Sequence, residues 1–115
     1  MKAKLPQGVG GGPGNMQAML RQAQKMQEEV AAKQAELEER EYSASAGGGM
    51  VTAVVDGKHL VKQLTIAPEA VDPDDVEMLT DLVTAAVNEA IRSAIDTAEA
   101  EMGQITGGLN MPGLF

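Results

Sequence analysis

The sequence predicts a small α+β domain in which a helix, three antiparallel strands and a second helix follow one another. Two long segments rich in helix-forming residues, with apolar residues spaced three and four apart, lie on either side of three short β-compatible segments. The chain has 115 residues, which suits one domain. Three strands are about the smallest sheet that is stable in water, so the helices are expected to pack against it.

The first predicted helix begins at residue 16, after Asn15 as a plausible N-cap. Before it, residues 1–15 are rich in glycine and proline and predict a flexible basic lead-in. The helix carries an apolar row that Lys33 interrupts, which favours packing against a partner or the chain's own sheet over an autonomous coiled coil. The row is Met16, Met19, Ala23, Met26, Val30 and Leu37.

Glycine and proline divide the central segment into the strands EYSASA, MVTAVV and HLVKQLTIA. Gly47 to Gly49 break the chain after the first strand, and Pro68 ends the third. Between the second and third strands, Asp56-Gly57 predicts a type I′ hairpin turn, because that turn needs positive φ at both central positions. The three strands therefore predict a meander.

The second predicted helix carries one bulky and one alanine-rich row side by side. Asp72 or Asp74 is expected to cap it, with Pro73 in its first turn, and Gly103 to end it. This gives a domain of residues 16–103 and a glycine-rich tail of residues 104–115. The apolar band is wide enough to face both a sheet and a second helix, and a domain of this size often gains stability by pairing. We therefore predict a homodimer whose interface includes Val83, Ala86, Val87, Ala90, Ile91 and Ala94.

The residue inventory argues against an enzyme. The chain has no cysteine and one histidine, His59, which is expected to be exposed beside a turn. The acidic group from Asp72 to Glu77 lacks the glycine and glutamate that an EF-hand loop needs and suits helix capping instead. We predict no catalytic residues, no metal, no cofactor and no small-molecule substrate. Neither a secretory signal nor a membrane span is recognisable, so the expected location is the cytoplasm with no membrane contact.

Charge is distributed unevenly along the chain. Residues 1–27 contain four basic residues and no acid, whereas the remainder contains five basic and seventeen acidic residues, or −12. Arg21 and Lys25 lie one helical turn apart, near a helix N-terminus that itself favours anions. A solvated face is the alternative explanation. The candidate DNA-binding residues are Lys2, Lys4, Arg21, Lys25 and Lys33.

The scarcity of aromatic residues indicates which nucleic acid fits. Only Tyr42 and Phe115 are aromatic, so the base-stacking platforms that single strands and RNA loops use are missing. Contacts to a duplex backbone need only Lys, Arg, Gln and helix termini. The basic segment therefore favours double-stranded DNA over single strands.

Four segments in order, covering about residues 16 to 115, carry a family resemblance: MLRQAQKMQEEV, AGGGMVTAVVDGKHLVKQLTIAPEAV, EMLTDLVTAAVNEAI and MGQITGGLNMPGLF. In these segments the chain resembles the YbaB/EbfC family of bacterial nucleoid-associated proteins. It implies a cytoplasmic α-β-β-β-α protomer and a homodimer that projects its helices like the arms of tweezers. It also implies DNA binding associated with those helices, and no catalytic residues.

We therefore predict a nucleoid-associated protein that binds double-stranded DNA as a homodimer, through contacts from its helical arms to the DNA backbone. A dimer with a net charge of about −16 repels DNA at long range unless its basic arms stand apart from the acidic body. The alternative is a module that grips a protein partner with its arms and C-terminal tail. The apolar residues of that tail favour folding back on the helices or the dimer interface, with docking to another protein as the second possibility.

Overall fold

The computed structural model describes residues 12–107, and it confirms the predicted order of elements. The helices and strands are α1 (Gly12–Glu39), β1 (Glu41–Ala46), β2 (Val51–Asp56), β3 (Val61–Ile66) and α2 (Val76–Thr106), with a 3-10 turn at Pro68–Ala70 before α2. Most of the predicted lead-in and the end of the predicted tail lie outside the described residues. None of the helices within residues 12–107 has the length and apolar character needed to cross a membrane.

The three strands form an antiparallel sheet in the order β1-β2-β3, and α2 packs across β1 and β2. Tyr42, Val51, Ala53 and Val55 supply the buried face of the sheet. The alanines of α2 fit against this face because their short side chains let a helix backbone approach closely. These buried alanines are Ala86, Ala90 and Ala94. The core therefore lies between one sheet face and the alanine row that the sequence predicted.

The two strand connections use different backbone conformations. Gly47, Gly48 and Gly49 all have positive φ, at 65°, 67° and 95°, a region that favours glycine. The predicted type I′ turn at Asp56-Gly57 is wrong, because His59 takes the positive φ, 69°, and the loop runs from residue 57 to residue 60. Instead, the Asp56 carboxylate accepts hydrogen bonds from the backbone N–H groups of Lys58 and Leu60, at 2.9 and 3.0 Å.

Gly57 is needed for a tertiary contact. A Cβ at this position would lie 2.0 Å from the carbonyl oxygen of Leu37 and 2.7 Å from the Cα of Glu38, both backbone atoms of α1. Its N–H donates to the Glu38 carbonyl oxygen at 3.2 Å. The close approach of α1 to the end of β2 therefore depends on the missing side chain.

The helix ends differ from the sequence-based boundaries. α1 begins at Gly12, ahead of Asn15, and places Pro13 in its first turn, where a missing N–H costs no hydrogen bond. Asp75 caps α2 by accepting from the Met78 N–H at 3.1 Å, so neither Asp72 nor Asp74 is the N-cap. α2 also continues through Gly103 to Thr106, where Ile105 and Thr106 are partly buried.

Candidate nucleic-acid interface

The N-terminal half of α1 extends beyond the end of α2. Lys33 and Arg40 contact Glu101, while Glu29 and Ile105 line the same groove, so the two helices run antiparallel over this contact. Towards the N-terminus of α1, every side chain from residue 15 to residue 25 is exposed. We call residues 15–28 of α1 the projecting half.

Two of the predicted DNA contacts, Arg21 and Lys25, lie on the projecting half. Both are exposed, and neither makes an ion pair within the described part of the chain. Their spacing of four residues places them on one side of the helix, roughly opposite the side that carries Met19, Ala23 and Met26. No acidic residue precedes Glu28 on α1, so Arg21 has no acid within one helical turn. Lys25 has Glu28 and Glu29 one turn away but pairs with neither within the described residues.

Lys33, also predicted to contact DNA, belongs to an ion cluster that ties α1 to α2. Its Nζ lies 3.1 Å from Glu101 Oε1 and 3.2 Å from Glu36 Oε1. Arg40 Nη1 donates to Glu101 Oε2 at 2.7 Å and also pairs with Glu36. The hydrogen bonds from Arg40 and then Lys33 lower the pKa of Glu101 to about 2. The hydrogen bonds that Lys33 donates to Glu101 and then Glu36 raise the pKa of Lys33. The charge of Lys33 is thus compensated within the protomer, unlike those of Arg21 and Lys25.

The other predicted contacts, Lys2 and Lys4, lie outside the described residues. On the body, Arg92 lies 3.6 Å from Glu89 on α2, whose sequence contains five more acids. Lys58 and Lys62, also on the body, lie near the carboxylate of Asp56. The pKa of Asp56 is lowered by the hydrogen bonds from Leu60 N–H and Lys58 N–H and by the two lysine charges, which together outweigh the effect of burial. Within residues 15–107, the acid-free stretch that carries positive charge is therefore residues 15–27 of α1, with Arg21 and Lys25.

The sequence of this chain is similar to a family of DNA-binding proteins. The family model described as the YbaB/EbfC DNA-binding family matches residues 12–109. The chain belongs to this family. A "Nucleoid-associated protein" of Alkaliphilus metalliredigens is 56% identical over 108 residues, covering 94% of each chain. Another of that name, from Acetivibrio thermocellus, is 54% identical over 109 residues, covering 94% of this chain and 96% of the relative.

A solved structure supports the fold of this YbaB/EbfC family member. The crystal structure of uncharacterized protein HP0035 from Helicobacter pylori superposes with a TM-score of 0.60 at 17% identity. The match covers 72% of this chain and 87% of the other. At this identity the likeness concerns the fold alone.

The residues of α2 that were predicted to form a dimer interface fall into two groups by their burial within the protomer. Ala86, Ala90 and Ala94 are 0–2% exposed and already fill the protomer core. The bulkier Val83, Val87 and Ile91 are partly buried at the edge of the core and retain surface. The dimer itself stays a prediction. The part of the predicted interface that remains accessible on α2 is the bulky row of Val83, Val87 and Ile91.

Sequence reasoning missed a second apolar surface, on β3. All six residues of this strand are exposed, including Val61 at 50%, Leu64 at 41% and Ile66 at 36%. Their pairing partners on β2 are Val55, Ala53 and Val51, so they lie on the sheet face that α2 covers elsewhere. The alternation of apolar and polar residues over Leu64, Thr65 and Ile66 was a signal for a half-buried sheet, and within the described residues no element covers that face.

Chemistry beyond binding finds little support in the described residues. His59 is exposed, as predicted for a residue beside a turn. Within residues 15–107, no group of three or more His, Asp or Glu side chains is arranged to hold a metal ion. The buried polar side-chain atoms of this part of the chain all have hydrogen-bond partners.

Proposed function

We propose that this protein is a non-enzymatic, nucleoid-associated protein of the bacterial cytoplasm that binds double-stranded DNA as a homodimer. The carrying observation is the pair of exposed, unpaired cations on the projecting half of α1, Arg21 and Lys25. Membership of a DNA-binding family and relatives that are named nucleoid-associated proteins support the same conclusion. Lys2 and Lys4, which precede the described residues, add two positive charges to the same end of the chain.

The proposed contacts are to the phosphate backbone. Arg21 and Lys25 are long side chains on a helix that stands clear of the body, and glutamines follow the same helix at residues 17, 22, 24 and 27. Such side chains reach phosphate oxygens without reading base edges. With no tryptophan and two aromatic residues in the chain, stacking on unpaired bases contributes little. We therefore expect affinity that depends weakly on DNA sequence.

Separation of charge explains how an acidic protein can bind DNA. The ion cluster uses Lys33 and Arg40 to neutralise Glu36 and Glu101 where α1 meets the acidic helix α2. Glu29 and Glu28 are the last acids towards the N-terminus of α1, and the helix carries none before Glu28. At physiological salt the Debye length is about 8 Å, so charges of the body more than a turn or two away are largely screened from a phosphate beside Arg21.

The proposed dimer uses the apolar surface that the protomer leaves uncovered. Val61, Leu64 and Ile66 of β3 lie on the helix-facing side of the sheet, and Val83, Val87 and Ile91 supply the bulky row of α2. An exposed strand with an apolar face is a liability for a monomer, and pairing with a second copy removes it. Pairing also doubles the number of phosphate contacts available from the projecting halves.

A charge-matched comparison tests the proposed contacts. Arg21→Gln with Lys25→Gln removes two positive charges per protomer from the projecting half. The control, Lys58→Gln with Arg92→Gln, removes two positive charges per protomer from the body. The two variants therefore have the same net charge. Binding to a duplex of mixed sequence is measured by mobility shift or fluorescence anisotropy at fixed salt.

We expect the projecting-half variant to lose affinity at least tenfold and the control to lose less than threefold. Equal losses in the two variants would assign the effect to net charge and contradict local contacts by Arg21 and Lys25. Far-UV circular dichroism of both variants checks that the exposed substitutions leave the fold intact.

A further inference from the structure

The projecting half of α1 carries an uncovered apolar face on the side away from Arg21 and Lys25. Met16, Met19 and Leu20 are 60%, 63% and 61% exposed. Two shallow grooves adjoin each other along this face, one beside Met19, Ala23 and Met26 and the next extending past Val30 to Gln34. An apolar face of this length on one helix of a soluble protein calls for a partner.

The face continues the contact that α1 makes with α2. At 3.6 residues per turn, Leu37, Val30, Met26 and Met19 share one side of α1. Leu37 is 5% exposed and lines a cleft with Ala94, Ala98 and Met102 of α2. α2 runs beside α1 as far as Ile105, which shares a groove with Glu29 at the edge of this side. Beyond that point the same side of α1 is open, and it is there that the chain leaves α2.

The chain beyond α2 has the composition and length to cover this face. Residues 108–115, GLNMPGLF, contain Leu109, Met111, Leu114 and Phe115 and no charged side chain. Eight extended residues span roughly 26–29 Å. From Val30 to Met16, fourteen residues of helix span about 21 Å. A segment that starts beside Glu29 can therefore reach the whole face, and methionine side chains adapt readily to an irregular apolar segment.

We propose that residues 108–115 dock on the apolar face of the projecting half of their own chain, running from Val30 towards Met16. The docked segment continues the antiparallel contact between α2 and α1 and braces the arm that holds Arg21 and Lys25. Because these cations are on the opposite side of the helix, docking leaves them free to contact phosphate. The proposal does not depend on DNA binding.

Engineered cysteines test the docking directly, since the chain has none of its own. Met19→Cys with Leu114→Cys places one thiol on the apolar face and one in the segment. The control, Ala18→Cys with Leu114→Cys, moves the first thiol by one residue to the other side of the same exposed helix. Disulfide formation under mild oxidation is followed by non-reducing electrophoresis, which separates links within one chain from links between two.

We expect the Met19 variant to form a link within one chain at least ten times faster than the Ala18 control. Equal rates would show that the segment has no preference for the apolar face and would overturn the proposal. A link mainly between two chains would also overturn it, since the occupant would then be the segment of a second copy.

Deletion of residues 109–115 provides the second measurement. Docking predicts a lower melting temperature and faster amide exchange within residues 15–30 when the segment is removed. Duplex affinity measured at a temperature where the fold is intact should stay within about threefold, which separates this test from that of the proposed function. An unchanged melting temperature, with fast exchange across residues 108–115 in the full chain, would leave the face to another protein and overturn the proposal.

Discussion

Replacing Gly57 with alanine tests the close contact between the end of β2 and the backbone of α1. The new Cβ would lie 2.0 Å from the Leu37 carbonyl oxygen, against about 3.4 Å for an ordinary contact, so the backbone of α1 has to retreat by about 1.4 Å. Such a retreat strains the 3.2 Å hydrogen bond from Gly57 N–H to Glu38 and loosens the packing of Leu37.

The expected destabilisation follows from these two effects. Overpacking against backbone typically costs about 1–3 kcal/mol, and a lost hydrogen bond adds about 1 kcal/mol. The free energy of unfolding should therefore fall by about 2–4 kcal/mol. For a domain of this size, that lowers the melting temperature by roughly 8–16 °C at about 4 °C per kcal/mol. The assay is chemical and thermal unfolding followed by circular dichroism at a fixed protein concentration, because the proposed dimer would make stability depend on concentration.

Gly103→Ala is the matched control for the same chemical change. Gly103 lies inside α2, and apart from the backbone of its own helix no described residue has an atom within 4 Å of an added Cβ, so alanine should stabilise the helix by about 0.8–1 kcal/mol. The two substitutions are thus expected to have opposite signs. If Gly57→Ala changed the free energy of unfolding by less than about 0.5 kcal/mol, the close approach of α1 to the end of β2 would be refuted.

Two further predictions concern the ion cluster and the proposed dimer surface. The folded pKa of Glu101, about 2, lies below its ordinary value of 4.5, so its contribution to stability is present above about pH 4.5 and is lost as the pH falls towards 2. The difference in unfolding midpoint between wild type and Glu101→Gln should therefore shrink over that range, and a constant difference would contradict the role of the cluster. Leu64→Glu should shift the sedimentation mass from dimer to monomer, whereas Gln63→Glu on the other sheet face should not; a dimer that survives Leu64→Glu unchanged would exclude β3 from the interface.

Local patterns in the sequence predicted the elements but not the contacts between distant ones. Periodicity and β-branched runs were enough for two helices, three strands and the buried alanine row. Gly57 was assigned to a turn because Asp-Gly is a local turn signal, whereas its backbone must approach α1, a contact no local pattern reveals. The end of α2 was placed at Gly103, but the helix continues to Thr106. Ile105 lines a groove together with Glu29 of α1, a contact that the local glycine signal does not reveal.

The same limit applied to the candidate site. Arg21 and Lys25 were proposed as contacts because the stretch without acids before Glu28 is visible along the chain. Lys33 could not be separated from them, since its partner Glu101 is 68 residues away. The exposed face of β3 was also hidden, because alternation along a strand does not tell whether the covering layer comes from the same chain or from another.

The salt dependence of duplex binding tests the central claim most directly. Each phosphate contact contributes about −0.9 to the slope of log affinity against log salt. If the four side chains of Arg21 and Lys25 in a dimer all engage phosphates, Arg21→Gln with Lys25→Gln should flatten that slope by roughly 3 to 4 units, and equally on two duplexes of unrelated sequence. An unchanged slope, or no binding of the wild-type protein to duplex even at low salt, would contradict the account.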